Sequence, residues 1–245
     1  RGTLDLSQGG FIHGVAGNKE ALKFGIAGGV EHGEVEHSEK AWCAAPSQHI
    51  SYVSCHDDHN LRDRLEHISP KASEQELLQM VKLAQFGVFT SQGIPFFFCG
   101  EEMFRSKLGE KNTYNMPDKY NAIDWSLKSK YRDSVQYYKT LIALRKPDPA
   151  FALSTADDVR RHLSFIEHDN EAAIGFVLSD LEGIDSAKRI VVLMNGSREK
   201  VEFSIPKGSY RFICDGNTWR LNGGAEAPAT SIEVAPITGI IIAEF

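Results

Sequence analysis

The densest cluster of chemically capable side chains in this 245-residue chain is His56-Asp57-Asp58-His59. Histidine and carboxylate both ligate metals, so one chemistry open to the cluster is a metal centre built from His56, Asp57 and His59. Against it, neighbours on an extended strand point to opposite faces, so His56 and Asp57 do not easily reach one ion. A second chemistry is recognition of a hydroxyl-rich substrate, with Asp57 accepting hydrogen bonds from sugar hydroxyls and His56 donating one. A solvated loop with capping acids would satisfy the same residues. Spacing alone leaves these readings open.

A second polar group lies between Gly100 and Trp125. Glu101 and Glu102 come first, then Arg105, Ser106, Lys107, Asn112, Tyr114, Asn115, Asp118, Asn121 and Asp124. Planar amides, carboxylates and an aromatic ring in one loop suit a polyhydroxylated ligand. Loops this long in compact domains are usually functional or disordered, and Tyr114 and Trp125 are expected to anchor this one. Glu101 and Glu102 are read as structural. The Glu- and His-rich stretch 30–40 reads as a mobile loop, and its histidines, His32 and His37, lack the helical context of a metal site. Cys43, Cys55, Cys99 and Cys214 form no CxxC pair, which excludes zinc-ribbon and thioredoxin motifs. Cys55 and Cys99 are expected in the core.

Regular elements must hold these clusters. Residues 50–55 read as a buried strand that ends at His56. Ser73 and Glu76 have the spacing of a capping box, and Leu77, Met80, Val81, Ala84 and Val88 follow at helical intervals. Residues 94–99 form an apolar run that suits a parallel strand covered on both faces. A helix is predicted over 130–145, with Tyr131, Val135, Tyr138 and Ile142 on one face and Pro147 and Pro149 closing it. An earlier short helix is predicted over 19–26, capped by Asn18 and stopped by Gly28-Gly29. Strand, helix, strand, helix is the repeat of a parallel α/β fold, whose chemistry sits at the carboxyl ends of the strands. Beyond Phe151 the period changes. Seven short runs (163–167, 173–178, 189–194, 200–205, 210–214, 231–234 and 239–245) carry no intervening helix. Turn signals such as Asp169-Asn170, Pro206-Lys207-Gly208 and Asn222-Gly223-Gly224 separate them. An antiparallel β-sandwich is expected, with the boundary near 147–158.

Tyr52-Val53-Ser54-Cys55-His56-Asp57 resembles the motif at the end of the seventh barrel strand in glycoside hydrolase family 13, the α-amylase family. Asp58-His59-Asn60-Leu61 resembles its type I pullulanase version, although Asp58 stands where Asn is common and Arg62 where an aromatic is common. Gly93-Ile94-Pro95 through Gly100-Glu101-Glu102, then Arg105-Ser106-Lys107 and Asn112-Thr113-Tyr114-Asn115-Met116-Pro117-Asp118, look like the eighth strand and following loop of those debranching enzymes. Asn121-x-x-Asp124-Trp125 continues the match. Gly10-Phe11-Ile12-His13-Gly14 and Gly17-Asn18-Lys19-Glu20-Ala21-Leu22 resemble the segment that precedes the seventh strand.

The resemblance implies residues 1–150 as the C-terminal part of a catalytic (β/α)8 TIM barrel and 151–245 as the C-terminal antiparallel β-sandwich. It implies a retaining hydrolase of α-1,6 bonds in α-glucans such as pullulan, branched maltodextrin, glycogen and amylopectin. Asp57 would be the third acid of the site, a transition-state stabiliser holding the 2- and 3-hydroxyls of a glucosyl unit. His56, Arg105, Asn115 and Asp118 would bind substrate. The nucleophile and general acid belong to barrel strands four and five, for which no segment here is a candidate, so the missing N-terminal part of the same enzyme is an expected partner. No cofactor is implied; some relatives bind calcium, but no ligand loop for it stands out. The competing reading is a non-catalytic carbohydrate-binding or assembly module, with Tyr210 and Trp219 as a platform unless they pack in the core.

With 42% hydrophobic and 24% charged residues the composition is that of an ordinary globular protein and argues against disorder. With 27 basic and 33 acidic residues the chain is mildly acidic, which argues against general binding of nucleic acid or anionic membranes. No apolar run approaches the ~20 residues of a bilayer span. A complete barrel needs about 250 residues by itself. The expectation is therefore a barrel piece that exposes a strand edge and apolar faces, joined to one complete sheet domain.

Overall fold

The structure, a computed structural model, describes residues 6–36, 41–146, 149–216, 218–221 and 225–245. Its first part is α1 (Lys19–Ile26), β1 (Ile50–Ser51), α2 (Leu61–Ile68), α3 (Glu74–Thr90), β2 (Ile94–Pro95), α4 (Asp118–Asn121), α5 (Leu127–Lys130) and α6 (Arg132–Arg145). β1 and β2 pair in parallel, Ile50 opposite Ile94 and Ser51 opposite Pro95, with α2 and α3 in the crossover between them. The parallel pairing expected of the two runs is present. The one ladder between them is only two residues long, where six-residue strands were expected.

Nor are the runs covered on both faces. Ile50, Tyr52, Ile94 and Phe96 are exposed, while Ser51 is buried and Val53, Pro95 and Phe97 are partly so. This is the period of two of an extended chain with one face packed. On the packed face Phe97 meets Phe89 of α3 and Tyr138 of α6, at ring separations of 6.1 and 5.2 Å. On the open face Tyr52 and Phe96 stand edge to face at 6.0 Å. The open end of these strands also explains the cysteines: Cys99 is exposed and Cys55 half-buried, whereas Cys43 and Cys214 are buried.

Helix α2 has no counterpart among the sequence expectations. Asn60 caps it, its Oδ1 accepting the Asp63 amide at 2.9 Å, and Leu61 and Leu65 bury one face. Ser73 caps α3 by accepting the Glu76 amide at 3.2 Å. Glu76 reaches not for the reciprocal bond but for Arg198, whose Nη2 lies 2.8 Å away. The helix expected over 130–145 breaks at Tyr131 into α5 and α6, and its buried face includes Leu141, with Ile142 exposed. Asn18 precedes α1 but makes no side-chain cap; its amide donates to the Val15 and Ala16 carbonyls instead. The described part of the stretch read as a mobile loop is packed. Val30, His32 and Val35 are buried, and Glu34 accepts the Phe165 amide at 2.6 Å. His37 lies outside the described residues.

A helix, α7 (Ala156–His162), occupies the boundary where none was expected, opened by a capping box between Thr155 and Asp158. β3 (Leu163–Ile166), β4 (Ala173–Leu178), β5 (Arg189–Asn195), β6 (Val201–Asp215), β7 (Ala227–Val234) and β8 (Thr238–Glu244) follow. Among the described residues they form one antiparallel sheet in the order β3-β4-β5-β8-β6-β7. Seven expected runs become six strands because 200–205 and 210–214 are continuous. Pro206-Lys207-Gly208 is a bulge within β6, not a turn. The Tyr210 ring lies where a Gly208 Cβ would meet it at 2.9 Å, and the Tyr210 hydroxyl donates to Pro206 O at 2.7 Å. Asn222-Gly223-Gly224 lies outside the described residues.

The bulged β6 gives the sheet two covered faces. Its first half pairs with β7 and its second with β8. Phe203, Ile205, Tyr210 and Val234 pack over Val177, Val191 and Leu193, in the manner of a sandwich. On the other face Phe176, Val192 and Ile241 share one core with Phe86, Tyr138 and Leu141 of the helices.

Candidate active site

Both polar clusters emerge at the carboxyl ends of the two parallel strands, as the α/β pattern requires. His56 and Asp57 are open, their side chains 74% and 71% exposed, with His56 Nε2 3.4 Å from Asp57 Oδ1. The two side chains converge, contrary to the divergence expected on an extended strand. The reason is that the β1 ladder has ended at Ser51 and the chain bends through 56–58, so strand alternation no longer governs them.

Asp58 and His59 turn inward. Asp58 adopts a left-handed φ of 58°, and its carboxylate lies 3.3 Å from His59 Nδ1. His59 is thus drawn away from the metal set first considered. The donors that do converge are Cys55, His56 and Asp57, each offering one ligand atom within 4.8 Å of the others.

Residues 58, 60, 62 and 63 are each fastened onto the segment that follows β2. The Asp58 amide donates to Asn112 Oδ1 at 2.7 Å, and the Asn112 amide donates back to Asp58 O at 3.3 Å. Asn60 donates to Arg105 O at 2.9 Å, and Arg62 Nη1 to Phe104 O at 2.9 Å. Buried Asp63 accepts the Ser106 hydroxyl and, at 2.6 Å, the Lys107 amide. Burial raises the Asp63 carboxyl above its ordinary range, and those two hydrogen bonds pull it partly back. Lys107 is buried as well, and its ammonium donates to Thr113 Oγ1 at 2.7 Å; desolvation lowers its pKa.

The other predicted residues separate into two groups. Asn115 is exposed just beyond Thr113, and Asp118 is exposed at the start of α4. Arg105 is buried, its guanidinium donating to Cys99 O at 3.0 Å and Asn121 O at 2.6 Å while stacked 5.2 Å over Phe98. It clamps the loop from inside. Tyr114 and Trp125, the expected anchors, are exposed at 82% and 64%. The anchoring falls to Thr113 and Asn121 instead, joined by Oγ1 to Oδ1 at 2.7 Å and Nδ2 to Thr113 O at 2.6 Å. Glu101 is buried and accepts from Ser54 and Gln85. Sequence reasoning missed Asn60 and Asp63, whose three-residue spacing before an apolar pair is itself a helix-start signal. As for a sheet-borne platform, Tyr210 is buried and Trp219 packs edge-on against Tyr137 at 5.5 Å.

An open carboxylate beside an imidazole, on a bent segment pinned from below, can accept and donate hydrogen bonds to a ligand presenting hydroxyls. Comparison with known proteins gives this geometry a family. The profile for the pullulanase all-beta domain matches residues 159–218. A pullulanase of Bacillus subtilis (strain 168) is 32% identical over 97% of this chain. The chain superposes on the pullulanase from Bacillus acidopullulyticus with a TM-score of 0.90, at 31% identity over 99% of its length. The chain belongs to the pullulanase family. A further pullulanase, from Paenibacillus barengoltzii in complex with maltohexaose and α-cyclodextrin, gives a TM-score of 0.88 at 33% identity over the whole chain. The chain spans 32% of the Bacillus subtilis pullulanase, and 29% and 37% of the two pullulanase structures. It is α/β with an antiparallel sheet, as those relatives are over the matched region.

Proposed function

We propose that the chain contributes the last strands of a (β/α)8 barrel, residues 1–150, and a β-sandwich domain, residues 151–245, to a retaining α-glucan debranching hydrolase. The observation that carries this reading is the His56–Asp57 pair, open at the carboxyl end of a parallel strand and flanked by the pinned loop after the next one. The open apolar face of Ile50, Tyr52, Ile94 and Phe96 supports the barrel part, since a closed barrel turns such a face inward.

In this reading Asp57 accepts hydrogen bonds from the 2- and 3-hydroxyls of a glucosyl unit. Bonds to the 2-hydroxyl strengthen as the ring gains oxocarbenium character, so Asp57 lowers the barrier and does not merely bind. His56 donates to the same ring. Asn115 and Asp118 line the cleft from the exposed part of the loop, and Arg105 acts on substrate only through the loop it clamps. The nucleophile and general acid, about 5–5.5 Å apart in retaining enzymes, come from other barrel strands. Substrates are α-1,6-branched glucans: pullulan, branched maltodextrin, glycogen and amylopectin.

Asp57→Asn in the full-length enzyme tests this. Turnover of pullulan should fall by about 100-fold or more with an unchanged melting temperature. A near-normal rate removes Asp57 from the site. The purified 245-residue chain should release no reducing sugar from pullulan, and release above a buffer control would overturn the division of labour.

A further inference from the structure

We propose that Asn112 is a positioning residue for Asp57, acting through the peptide that joins Asp57 to Asp58; this rests on the reading of Asp57 given above. The amide held by Asn112 Oδ1 at 2.7 Å belongs to that peptide, whose carbonyl is Asp57's own. The amide of Asn112 returns to Asp58 O at 3.3 Å. Both peptide planes that flank Asp58 are thereby held by one residue 54 positions away. Asp58 and Asn112 both sit in the left-handed region, at φ 58° and 52°. For a residue with a Cβ this conformation is costly without a local reason, although Asn and Asp bear it best. Relaxation of Asp58 to a negative φ would rotate the shared peptide and swing the Asp57 carboxylate.

The clamp can resist that rotation because it is rooted in the interior. Thr113, next to Asn112, is buried and bonded through its hydroxyl to Lys107 Nζ and Asn121 Oδ1, each at 2.7 Å. Asp57 itself is 71% exposed and has His56 beside it at 3.4 Å. Its orientation is therefore inherited from the backbone, and misplacement of a reacting group by about 1 Å can cost as much as ~100-fold in rate.

Two variants separate the acceptor from the backbone. Asn112→Gly keeps the left-handed conformation and removes the acceptor; Asn112→Asp keeps an acceptor. In the full-length enzyme on pullulan, Asn112→Gly should lower kcat about tenfold with KM within about twofold, and Asn112→Asp should keep about half of kcat or more. Hydrogen exchange at the Asp58 amide, read by mass spectrometry, should be slow in the parent and the Asp variant and fast in the Gly variant. A normal kcat for Asn112→Gly alongside an impaired Asp57→Asn overturns the proposal, as does an Asp variant that falls as far as the Gly variant. A normal rate for Asp57→Asn instead sinks the reading of Asp57 itself. Should the Gly variant not fold, rapid exchange of the Asp58 amide in the parent still overturns the clamp.

Discussion

Gln85, within α3, donates its side-chain amide to Glu101 at 2.8 Å, and both residues are buried. The same carboxylate accepts the Ser54 hydroxyl and, at 3.3 Å, the Phe98 amide. One buried carboxyl group thus ties the segment after β1, the crossover helix and the turn after β2. It does so two residues before His56, so the frame beneath the open pair is a hydrogen-bonded hub and not an apolar plug.

Glu101→Ala should therefore be severe. It strands the Ser54 and Gln85 donors in a site closed to water, at a cost of about 2–4 kcal/mol. Urea unfolding of the parent and variant measures it. A loss below about 1 kcal/mol would mean the donors find other partners.

The contact between Gly239 of β8 and Phe86 of α3 joins the sheet to the helices. A Cβ on Gly239 would lie 2.5 Å from the Phe86 ring, and Phe86 is fully buried. Gly239→Ala should cost about 1–3 kcal/mol through forced movement of a ring in a packed core. Gly25, inside α1, has nothing within 4 Å of a built Cβ. Gly25→Ala should instead stabilise by about 0.5–1 kcal/mol. Thermal melts of the two variants should shift in opposite directions; a shared direction refutes the packing account.

His13 gives the fold an acid-sensitive point. Burial lowers its pKa from 6.5 to about 4, and the Arg198 and Arg64 guanidinium groups push the same way. Its Nδ1 accepts the Gly10 amide at 3.0 Å, which requires an unprotonated nitrogen there. The unfolded chain binds the proton first, so stability held by the neutral ring is complete above pH 6.5 and is lost as pH falls towards 4. His13→Asn should remove about 1–2 kcal/mol of that decline, a figure reduced for solvent screening of a half-buried ring. Stability curves for parent and variant that run parallel from pH 6.5 to 4 would exclude the assignment.

Much of the architecture is legible in residue order. Apolar spacing marks α3, the runs at 94–99 and 173–178 mark strands, and the polar clusters fall where parallel strands end. Those features are local: period and punctuation follow from backbone geometry over a few residues. The motifs around His56 and Asp57 and along 93–125, taken together, also point to the family, because they match residue types, not contacts. What the tertiary structure decided is how side chains with several choices were spent. Arg105 looks like a ligand-binding cation and is committed to two backbone carbonyls 6 and 16 residues away. Pro206-Lys207-Gly208 carries turn chemistry, yet Tyr210 fills the space over Gly208 and the strand runs on. Ile142 fits the apolar stripe of α6 but faces outward, because Leu141 and Tyr138 fill the core. The bond between Asp58 and Asn112 spans 54 residues and pairs two left-handed backbones. Each outcome depends on which distant group arrives within hydrogen-bond or van der Waals reach, and no local period encodes that.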